Sequence, residues 1–471
     1  MREQQSNPRW AMLDDFPIPL DRSAAEPLSV QVAEALRTAA TTRVLRVGDR
    51  LPPSRALAQR LGVSRAVIAA AYDQLHAEGW LTGRRGSGTY LSTDPATAPP
   101  STVARKGVEN EPTLLDLAAG APCIEALDRA AWRRAWRSAG DRTPEARKDR
   151  AGEPGYRDAV AEHLLRHRGL AAGAASVVLA TAGTSTAVGE LAAALLRPGD
   201  TVAIEDPGYL RAVGAFQAAG TTVLPVPVDA HGLCVDRIPP GVRAVYCTPA
   251  HQFPMGARMP AGRRVELVEF ARSTGTLVIE DDYDGELRYD TAPLPLLAAM
   301  APDVVVHLGT TSKIIAPTLG VGWLVARPDI TEAVLAHRAR IGSSPSPAGQ
   351  LVLAEFARNG DLARHLRRLR RVVPPRRALL VGELADRGLP VLGDDAGSHV
   401  VVELPDAAAE AAAVDAARSR GVLLDGLARH HLATPHRFGV ALGYTALTST
   451  ELARAVPIAA DCLAAHVTRR S

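Results

Sequence analysis

Apolar residues recur at helical spacing near the start of the chain. Within residues 28–40, Val32, Leu36 and Ala40 stand four positions apart, so they share one face of a helix. Gly48, followed closely by two adjacent prolines, interrupts this pattern. The sequence therefore predicts a first helix that ends before position 48.

Two short helical segments follow, each framed by start and stop signals. Ser54 stands at an N-cap position ahead of the first segment, which Gly62 closes. Ser64 caps the second segment, which Gly79 closes. Residues 80–91, WLTGRRGSGTYL, then have strand-forming ends around a glycine-rich middle, which predicts a β-hairpin. A helix, a helix-turn-helix and a hairpin in this order predict a winged helix of α+β class.

A polar segment separates this module from the rest of the chain. Residues 93–113 are rich in Pro, Thr, Ala and charge, without an apolar period, which predicts a linker between a first domain at 14–92 and a second at 114–471. In the second domain, short apolar runs alternate with helix-like segments. This alternation predicts an α/β domain with a mostly parallel sheet, so the whole chain is predicted to be multidomain. These runs begin at positions 177, 201, 221, 244, 276 and 303.

The bulk composition excludes several classes of protein. At 471 residues the chain exceeds the usual size of one hydrophobic core, and 46% hydrophobic with 22% charged residues is typical of globular proteins. No apolar run approaches the roughly 18 residues that span a bilayer, and the first residues lack the apolar core of a signal peptide. The four cysteines are widely scattered, unlike those of disulfide frameworks or zinc sites. We therefore expect a cytoplasmic protein with no membrane segment and no metal.

Positive charge is concentrated in the predicted winged helix. The formal net charge is +3 over the whole chain, but residues 43–91 hold eight arginines against three acidic residues. A winged helix places the second helix of its turn motif in the major groove of duplex DNA, and its hairpin lies along the adjacent backbone. Aromatic residues make up only 4% of the chain, which disfavours a stacking platform for single strands. The candidate DNA contacts are Arg55, Ser64, Arg65, Arg84, Arg85, Gly86, Gly88 and Thr89.

The whole module, GDRLPPSRALAQRLGVSRAVIAAAYDQLHAEGWLTGRRGSGTYL at 48–91, closely resembles the winged-helix domain of the GntR superfamily. The resemblance implies that three motifs form the DNA-binding surface: the Pro-Ser-Arg entry, the Gly-Val-Ser-Arg turn and the Gly-x-Gly-Thr wing. It implies a double-stranded DNA operator as the partner.

The second domain carries an acid and a lysine placed for cofactor chemistry. VIEDDYDGE, at 278–286, predicts a buried strand that runs into an acidic turn, with Asp281 at the carboxyl edge of the sheet, where ligands bind. Lys313 follows the next apolar run. Pyridoxal phosphate requires a lysine to form its aldimine, an acid beside its pyridine nitrogen and a cradle for its phosphate. Lys313 and Asp281 supply the first two.

The remaining parts of such a site stand between positions 181 and 211. TAGTSTAVGELAAALL turns through Gly183 into a helix that begins with Thr184 and Ser185, whose amide groups and hydroxyls can hold a phosphate. Further on, Tyr209 can cover the face of the pyridine ring. Arg211 can bind the carboxylate of a small-molecule effector.

Residues 114–463 resemble a fold-type-I aminotransferase domain, specifically that of the MocR subfamily of GntR regulators. The motifs EDPGY, TPAHQFPMG and IEDDYDGELRYD carry the resemblance, and the winged helix precedes them as in that subfamily. It implies that Lys313 forms the aldimine with pyridoxal phosphate and that Asp281 binds the pyridine nitrogen. It also implies that Tyr283 donates to the phenolic oxygen and that Tyr209 stacks on the ring. The full cofactor-binding set is Gly183, Thr184, Ser185, Tyr209, His251, Gln252, Asp281, Tyr283, Thr310, Ser312 and Lys313.

Some positions depart from the family pattern. Where the family carries a phosphate-binding arginine seven residues past the lysine, this chain has Gly320. Either another arginine takes its place, or the cofactor is held loosely, with a loss of about 1.5 to 3 kcal/mol in binding. His251 and Gln252 fall where ordinary aminotransferases place an asparagine near the phenolic oxygen. Arg437 is the C-terminal candidate for binding an effector carboxylate, although it is offset from the usual position.

Two functions fit these features. The chain is either a regulator in which pyridoxal phosphate, alone or joined to an amino compound, changes how two DNA-binding heads are held, or an aminotransferase with an accessory DNA-binding domain. Lys313 and Asp281 are the groups that catalysis needs, and they also disfavour a scaffold with a dead enzyme domain. No metabolic transaminase requires the DNA-binding module, so regulation of vitamin B6 or of amino or γ-amino acid metabolism is favoured, and Gly320 inclines the prediction to vitamin B6. Subunits of fold type I generally dimerise, so the resemblance implies a homodimer.

Overall fold

The chain divides into two compact units in its computed structural model, Met1–Glu109 and Asn110–Ser471. None of the helices described is long and apolar enough to cross a membrane. The predicted linker at 93–113 lies outside the described residues, as do Arg85 and Gly86 and the side chain of Arg84. The domain boundaries drawn from the sequence therefore stay a prediction. The structure describes residues 18–42, 44–84, 88–92, 114–173, 176–289 and 294–467.

The first unit is a winged helix, as the sequence predicts. Its elements are helices α1 (Leu28–Thr41), α2 (Ser54–Leu61) and α3 (Arg65–Ala77) and strands β1 (Leu81–Arg84) and β2 (Gly88–Leu91), which pair antiparallel. Ser64 caps α3, because its hydroxyl accepts from the Val67 amide at 3.4 Å. The predicted cap at Ser54 is wrong: Ser54 is the first residue of α2, and Pro53 occupies the N-cap position without a side-chain hydrogen bond.

The helical period near the start of the chain forms the core of this unit. Val32, Leu36 and Ala40 are buried on one face of α1, which packs on α3. The Tyr72 hydroxyl of α3 donates to the Pro52 carbonyl at 2.9 Å, which ties the helix to the segment before α2. α3 is thereby held with its N-terminal residues on the surface.

The second unit is built on an eight-stranded sheet that is mostly parallel. Six of its strands run in one direction, namely β4, β5, β6, β8, β9 and β10. The other two, β7 and β11, run in the opposite direction. The six apolar runs of the sequence all become parallel strands, which confirms the α/β class. The strand order is β4-β11-β10-β9-β8-β5-β6-β7. The bounds are β4 Val177–Thr181, β5 Thr201–Asp206, β6 Thr222–Asp229, β7 Gly232–Leu233, β8 Ala244–Cys247, β9 Leu277–Asp282, β10 Val305–Thr310 and β11 Gly322–Ala326.

Helices cover both faces of this sheet, and two separate apolar clusters form against it. The C-terminal part of the chain adds a small antiparallel sheet of β12 (His399–Leu404), β15 (Phe438–Gly443) and β14 (Asp425–Gly426). A two-stranded pairing joins β3 (Leu115–Asp116) to β13 (Val422–Leu423). The helices are α4 Arg129–Gly140, α5 Pro154–Arg168, α6 Thr184–Leu195, α7 Leu210–Ala218, α8 Ala261–Thr274, α9 Leu297–Met300, α10 Pro328–Ile341, α11 Pro347–Arg358, α12 Asp361–Ala385, α13 Ala407–Ser419 and α14 Ser449–Ala464.

A buried ion pair fixes the acidic turn at the end of β9. The side chains of Asp281 and Asp282 point to opposite faces of the sheet, because successive strand residues alternate. Asp282 accepts from both terminal nitrogens of Arg168, one of them at 2.9 Å, and Arg168 also contacts Glu286 at 3.3 Å. All three side chains are buried. The turn that leads to Tyr283 is thereby tied to the end of α5.

Candidate functional site

A cavity of about 560 Å³ lies where the parallel strands of the large sheet end. Residues at or just after the carboxyl ends of β4, β5, β8, β9 and β10 all reach it, as expected for ligand sites of such sheets. Its walls include the predicted residues Gly183, Thr184, Ser185, Tyr209, Arg211, Asp281, Tyr283, Thr310, Ser312 and Lys313, together with Ala119, Gly120, Tyr246, Thr248, Phe253, Asp425, Arg429 and His430.

Asp281 presents one unpaired carboxylate oxygen in this cavity wall. Its Oδ2 accepts from the Tyr246 hydroxyl at 2.5 Å, whereas Oδ1 has no hydrogen-bond partner among the described residues. Burial raises the pKa of Asp281 to about 7. A buried acceptor left open in this way is what a protonated pyridine nitrogen would satisfy.

Lys313 lies on the segment that follows β10, the strand next to β9 in the sheet. Its Nζ donates to the carbonyl of Gly120, and a Cβ added to Gly120 would come within 2.8 Å of that nitrogen. Burial lowers the pKa of Lys313, and the nearby Arg211 charge adds to this effect. A lysine that loses its proton more readily is a better nucleophile toward a carbonyl carbon.

The N-terminus of α6 lines this cavity at the place where the sequence predicts a phosphate cradle. Gly183 is the N-cap at φ +126, a conformation that a residue with a side chain rarely adopts. The Ser185 hydroxyl is 2.9 Å from the Tyr209 hydroxyl, and Thr310 donates to the Ser312 hydroxyl at 2.9 Å. Hydroxyls and free helix amides thus converge, which suits a phosphate group.

Gly320, where the family has an arginine, adopts a left-handed conformation. Its φ is +65, and a Cβ added there would have no heavy atom within 4 Å. The position therefore offers room for a side chain but strains the backbone of any residue other than glycine.

His251 and Gln252 do not line the cavity, contrary to the sequence-based interpretation. His251 lies behind Tyr283, and the Gln252 amide donates to the carbonyls of Pro207, at 3.0 Å, and Phe253, at 2.6 Å. The ring of Phe253 lines the cavity instead, edge-on to Tyr209 with 6.0 Å between ring centroids. The motif contributes an apolar ring where a hydrogen-bonding side chain was expected.

The two predicted effector arginines are separated in the structure. Arg211, at the start of α7, lines the cavity, but Arg437 pairs with Glu403 at 2.6 Å and lines a different cavity. Sequence reasoning missed Arg429, which stands in the wall of the first cavity and pairs with Asp425. The sequence signal for Arg429 is the basic run Arg429-His430-His431. This run follows β14, a strand of two residues that is too short to show an alternating pattern.

The predicted DNA contacts that the structure describes lie on the first unit. Arg55 and Arg65 are exposed near the N-termini of α2 and α3, and Ser64 is the exposed cap between those helices. Gly88, at φ +116, begins the second strand of the wing, and a Cβ added there would come within 2.6 Å of the Arg50 side chain. Thr89 follows it and accepts through its carbonyl from the Leu51 amide at 2.8 Å.

Comparison with protein families agrees with both halves of this description. Residues 28–91 match the model of the bacterial regulatory proteins of the gntR family, and residues 112–456 match the model of aminotransferase class I and II. The kynurenine aminotransferase of Pyrococcus horikoshii shares the fold, with a TM-score of 0.68 and 24% identity over 76% of this chain and 92% of that chain.

Two curated transcriptional regulators are similar to most of this chain. The pyridoxine biosynthesis transcriptional regulator PdxR of Corynebacterium glutamicum is 36% identical over 80% of this chain and 83% of its own length. The probable rhizopine catabolism regulatory protein MocR of Rhizobium meliloti is 31% identical over 91% of this chain and 92% of its own. The chain therefore belongs to the MocR-type GntR transcriptional regulators, in which a DNA-binding domain precedes an aminotransferase-type domain whose cofactor is pyridoxal phosphate.

Proposed function

We propose that this regulator senses pyridoxal phosphate, or its adduct with an amino compound, and changes its affinity for an operator in response. The observation that carries the proposal is the convergence of Lys313, Asp281 and Tyr283 on one cavity in a chain that also has a DNA-binding unit. A catalytic site needs no such unit, whereas a sensor does.

Each residue of the cavity has a role in this proposal. Bound pyridoxal phosphate supplies an aldehyde that reacts with amines and a ring that withdraws electrons. Lys313, with its lowered pKa, supplies the amine of the protein. Asp281 would hold the pyridine nitrogen, and the N-terminus of α6 would hold the phosphate. Tyr209 and Phe253 would exclude water from the ring through their apolar surfaces.

Arg211 and Arg429 are the groups that we propose for an effector carboxylate. Both line the cavity, and guanidinium groups bind carboxylates in bidentate geometry. Asp425 holds Arg429 in place. Arg437 is not retained in this role, because its guanidinium is paired with Glu403 elsewhere.

Vitamin B6 metabolism is the class of controlled genes that we favour. The name of the Corynebacterium relative refers to pyridoxine biosynthesis. In this chain, Gly320 offers no guanidinium to a phosphate, which suits a cofactor that must leave when its concentration falls. We further propose a homodimer that binds two half-sites of duplex DNA in the cytoplasm, where bacterial operators are found.

Absorption spectroscopy tests the proposal directly. Purified protein is titrated with pyridoxal phosphate beside Lys313→Ala, and we expect the long-wavelength band of lysine-bound cofactor in the parent alone. Exhaustive dialysis should then remove the band, since the cofactor is held loosely. If the parent shows no band, the cavity does not bind the cofactor through Lys313. If the cofactor stays at full occupancy after dialysis, the sensing role inferred from Gly320 fails.

Aminotransferase activity is the second candidate function, and the buried Lys313 beside Asp281 favours it. Addition of candidate amino acids to the loaded protein, followed by detection of the oxo acid product, separates the two. Stoichiometric conversion without turnover agrees with a regulator, whereas sustained turnover with a second oxo acid identifies an enzyme.

A further inference from the structure

A closed cluster of polar side chains lies behind Tyr283 and has no part in the site described so far. His251, Asp284 and His399 come from three separate segments and are 2%, 2% and 0% exposed. None of the three is among the residues that line the cavity. Burying a carboxylate and two imidazoles costs free energy unless these groups are hydrogen-bonded. The hydrogen bonds of this cluster therefore call for an explanation.

The geometry around His251 fixes where its proton lies. Its Nδ1 is 3.0 Å from Asp284 Oδ2 and 3.0 Å from the Tyr283 hydroxyl oxygen. A carboxylate oxygen accepts hydrogen bonds, so the His251 tautomer with its hydrogen on Nδ1 is the one that satisfies Asp284 Oδ2. The same N–H group is shared with the Tyr283 oxygen. His251 therefore cannot accept the hydroxyl hydrogen of Tyr283.

Packing keeps the imidazole ring of His251 in this orientation. A Cβ added to Gly397 would lie 2.2 Å from its Cε1, so the backbone at Gly397 closes directly over the ring. The ring of His399 lies against it, with 4.9 Å between ring centroids. The His399 Nε2 donates to the Pro254 carbonyl at 2.8 Å, which anchors that second ring.

From this arrangement we infer that His251 and Asp284 form a positioning pair that keeps the Tyr283 hydroxyl a donor toward the cavity. Because the pair supplies a donor to the Tyr283 oxygen and accepts nothing from it, the hydroxyl hydrogen stays available for the phenolic oxygen of the ligand. The inference rests on the proposed function, since it needs pyridoxal phosphate bound in the cavity. It assigns a role to His251 that differs from direct contact with the cofactor.

The pH midpoint of the spectral change of bound pyridoxal phosphate reports this donation. A donor to the phenolic oxygen favours the more negative, deprotonated form of the chromophore and lowers the midpoint. We expect His251→Ala to raise the midpoint by about 1 to 2 pH units, as Tyr283→Phe does, because a hydrogen bond to a charged group is lost. The double variant should show no further rise, since both changes remove the same donation.

Two further variants separate positioning from mere structural support. His251→Asn places an amide N–H near the position of Nδ1 and should restore the parental midpoint. Asp284→Asn removes the acceptor that orients the Nδ1 hydrogen and should raise the midpoint even if His251→Ala does not fold, against the opposing effect of losing a negative charge near Lys313. His163→Asn is the matched control, because His163 is also buried against a carboxylate, that of Glu286 at 2.8 Å, and should leave the midpoint unchanged.

The outcomes distinguish this inference from the proposed function. A parent protein without a cofactor band overturns both. A parent with the band, in which His251→Ala and Asp284→Asn titrate like the parent while Tyr283→Phe shifts, overturns the positioning pair alone. Tyr283→Phe without a shift also overturns it, because Tyr283 then donates nothing to the cofactor. A shift in the His163→Asn control as large as that in His251→Ala would show a general effect of perturbed packing.

Discussion

Burial raises the pKa of Asp281 to about 7 and also raises the pKa of Glu205, which accepts from the Thr248 amide at 3.1 Å, to about 7. A carboxyl group whose pKa is higher in the folded protein binds more protons when folded, so its contribution to the free energy of unfolding falls as pH rises from about 4 to about 7. The cofactor-free protein should therefore lose stability over this range.

Asp281→Asn should reduce the fall in the free energy of unfolding between about pH 4 and pH 7 in the cofactor-free protein. The amide cannot ionise, so the part due to Asp281, on the order of a few kcal/mol, disappears while the part due to Glu205 remains. Urea unfolding of both proteins at several pH values between 4 and 8 measures the difference. An equally steep pH dependence in the variant would show that Asp281 is ionised in the folded protein throughout the range.

Two substitutions at Gly320 test the effect of the missing phosphate-binding arginine. At φ +65, any side chain costs about 1 kcal/mol or more of stability, so Gly320→Arg and Gly320→Ala should be destabilised alike. The arginine variant should nevertheless bind pyridoxal phosphate roughly ten- to a hundredfold more tightly than the alanine variant. Equal dissociation constants from spectral titrations would mean that a side chain at 320 does not reach the phosphate.

At the scale of elements, we expect α3 to read the DNA sequence and α2 to contact the DNA backbone. Arg65 is exposed at the first position of α3, whose N-terminus meets base edges in a winged helix. Arg65→Ala should weaken binding to the preferred operator by about 1 to 3 kcal/mol and relax the preference at one base pair. Arg55→Ala should instead weaken binding to all DNA sequences alike. It should also reduce the salt dependence of the binding constant by about one released counterion.

Fluorescence anisotropy with operator and scrambled duplexes at several salt concentrations separates these effects. If Arg65→Ala lowered the affinity for both duplexes by the same factor, α3 would contact phosphate and not bases through this residue. A loss of preference in Arg55→Ala would assign base contact to the start of α2.

For the whole molecule, we expect ligand binding in the second unit to change DNA binding by the first. We expect pyridoxal phosphate, alone or with an amino compound, to change the affinity for a duplex with two half-sites, and Lys313→Ala to abolish that change without altering the basal affinity. Arg211→Ala is the comparison for effector binding, since it leaves the lysine intact. If Lys313→Ala stayed fully ligand-sensitive, the lysine would not be the switch.

Association of two chains is the second prediction at this scale. Gel filtration with light scattering should give twice the mass of one 49.7 kDa chain, both with and without cofactor. Protein that elutes as a monomer at micromolar concentration would contradict the dimer and, with it, the use of paired half-sites.

The sequence by itself determined the local elements and the family. Helical spacing at Val32, Leu36 and Ala40, the cap at Ser64 and the apolar runs of the parallel strands act over a few residues, so they are readable one segment at a time. Asp281 and Lys313 are predictable for the same reason, because Asp281 lies at the end of one buried strand and Lys313 lies shortly after the next. Two glycines, Gly62 and Gly183, were recognisable because each ends or begins a helix.

Tertiary structure alone decided which distant residues meet. His251 lies behind Tyr283 and not in the cavity, Arg429 replaces Arg437 at the cavity wall, and Tyr246 supplies the donor to Asp281. These contacts join segments that the chain separates by tens to hundreds of residues, and the packing of strands and loops selects among several chemically equivalent candidates. Sequence spacing specifies the chemistry available near each strand end, whereas the direction of a buried side chain depends on what packs against it.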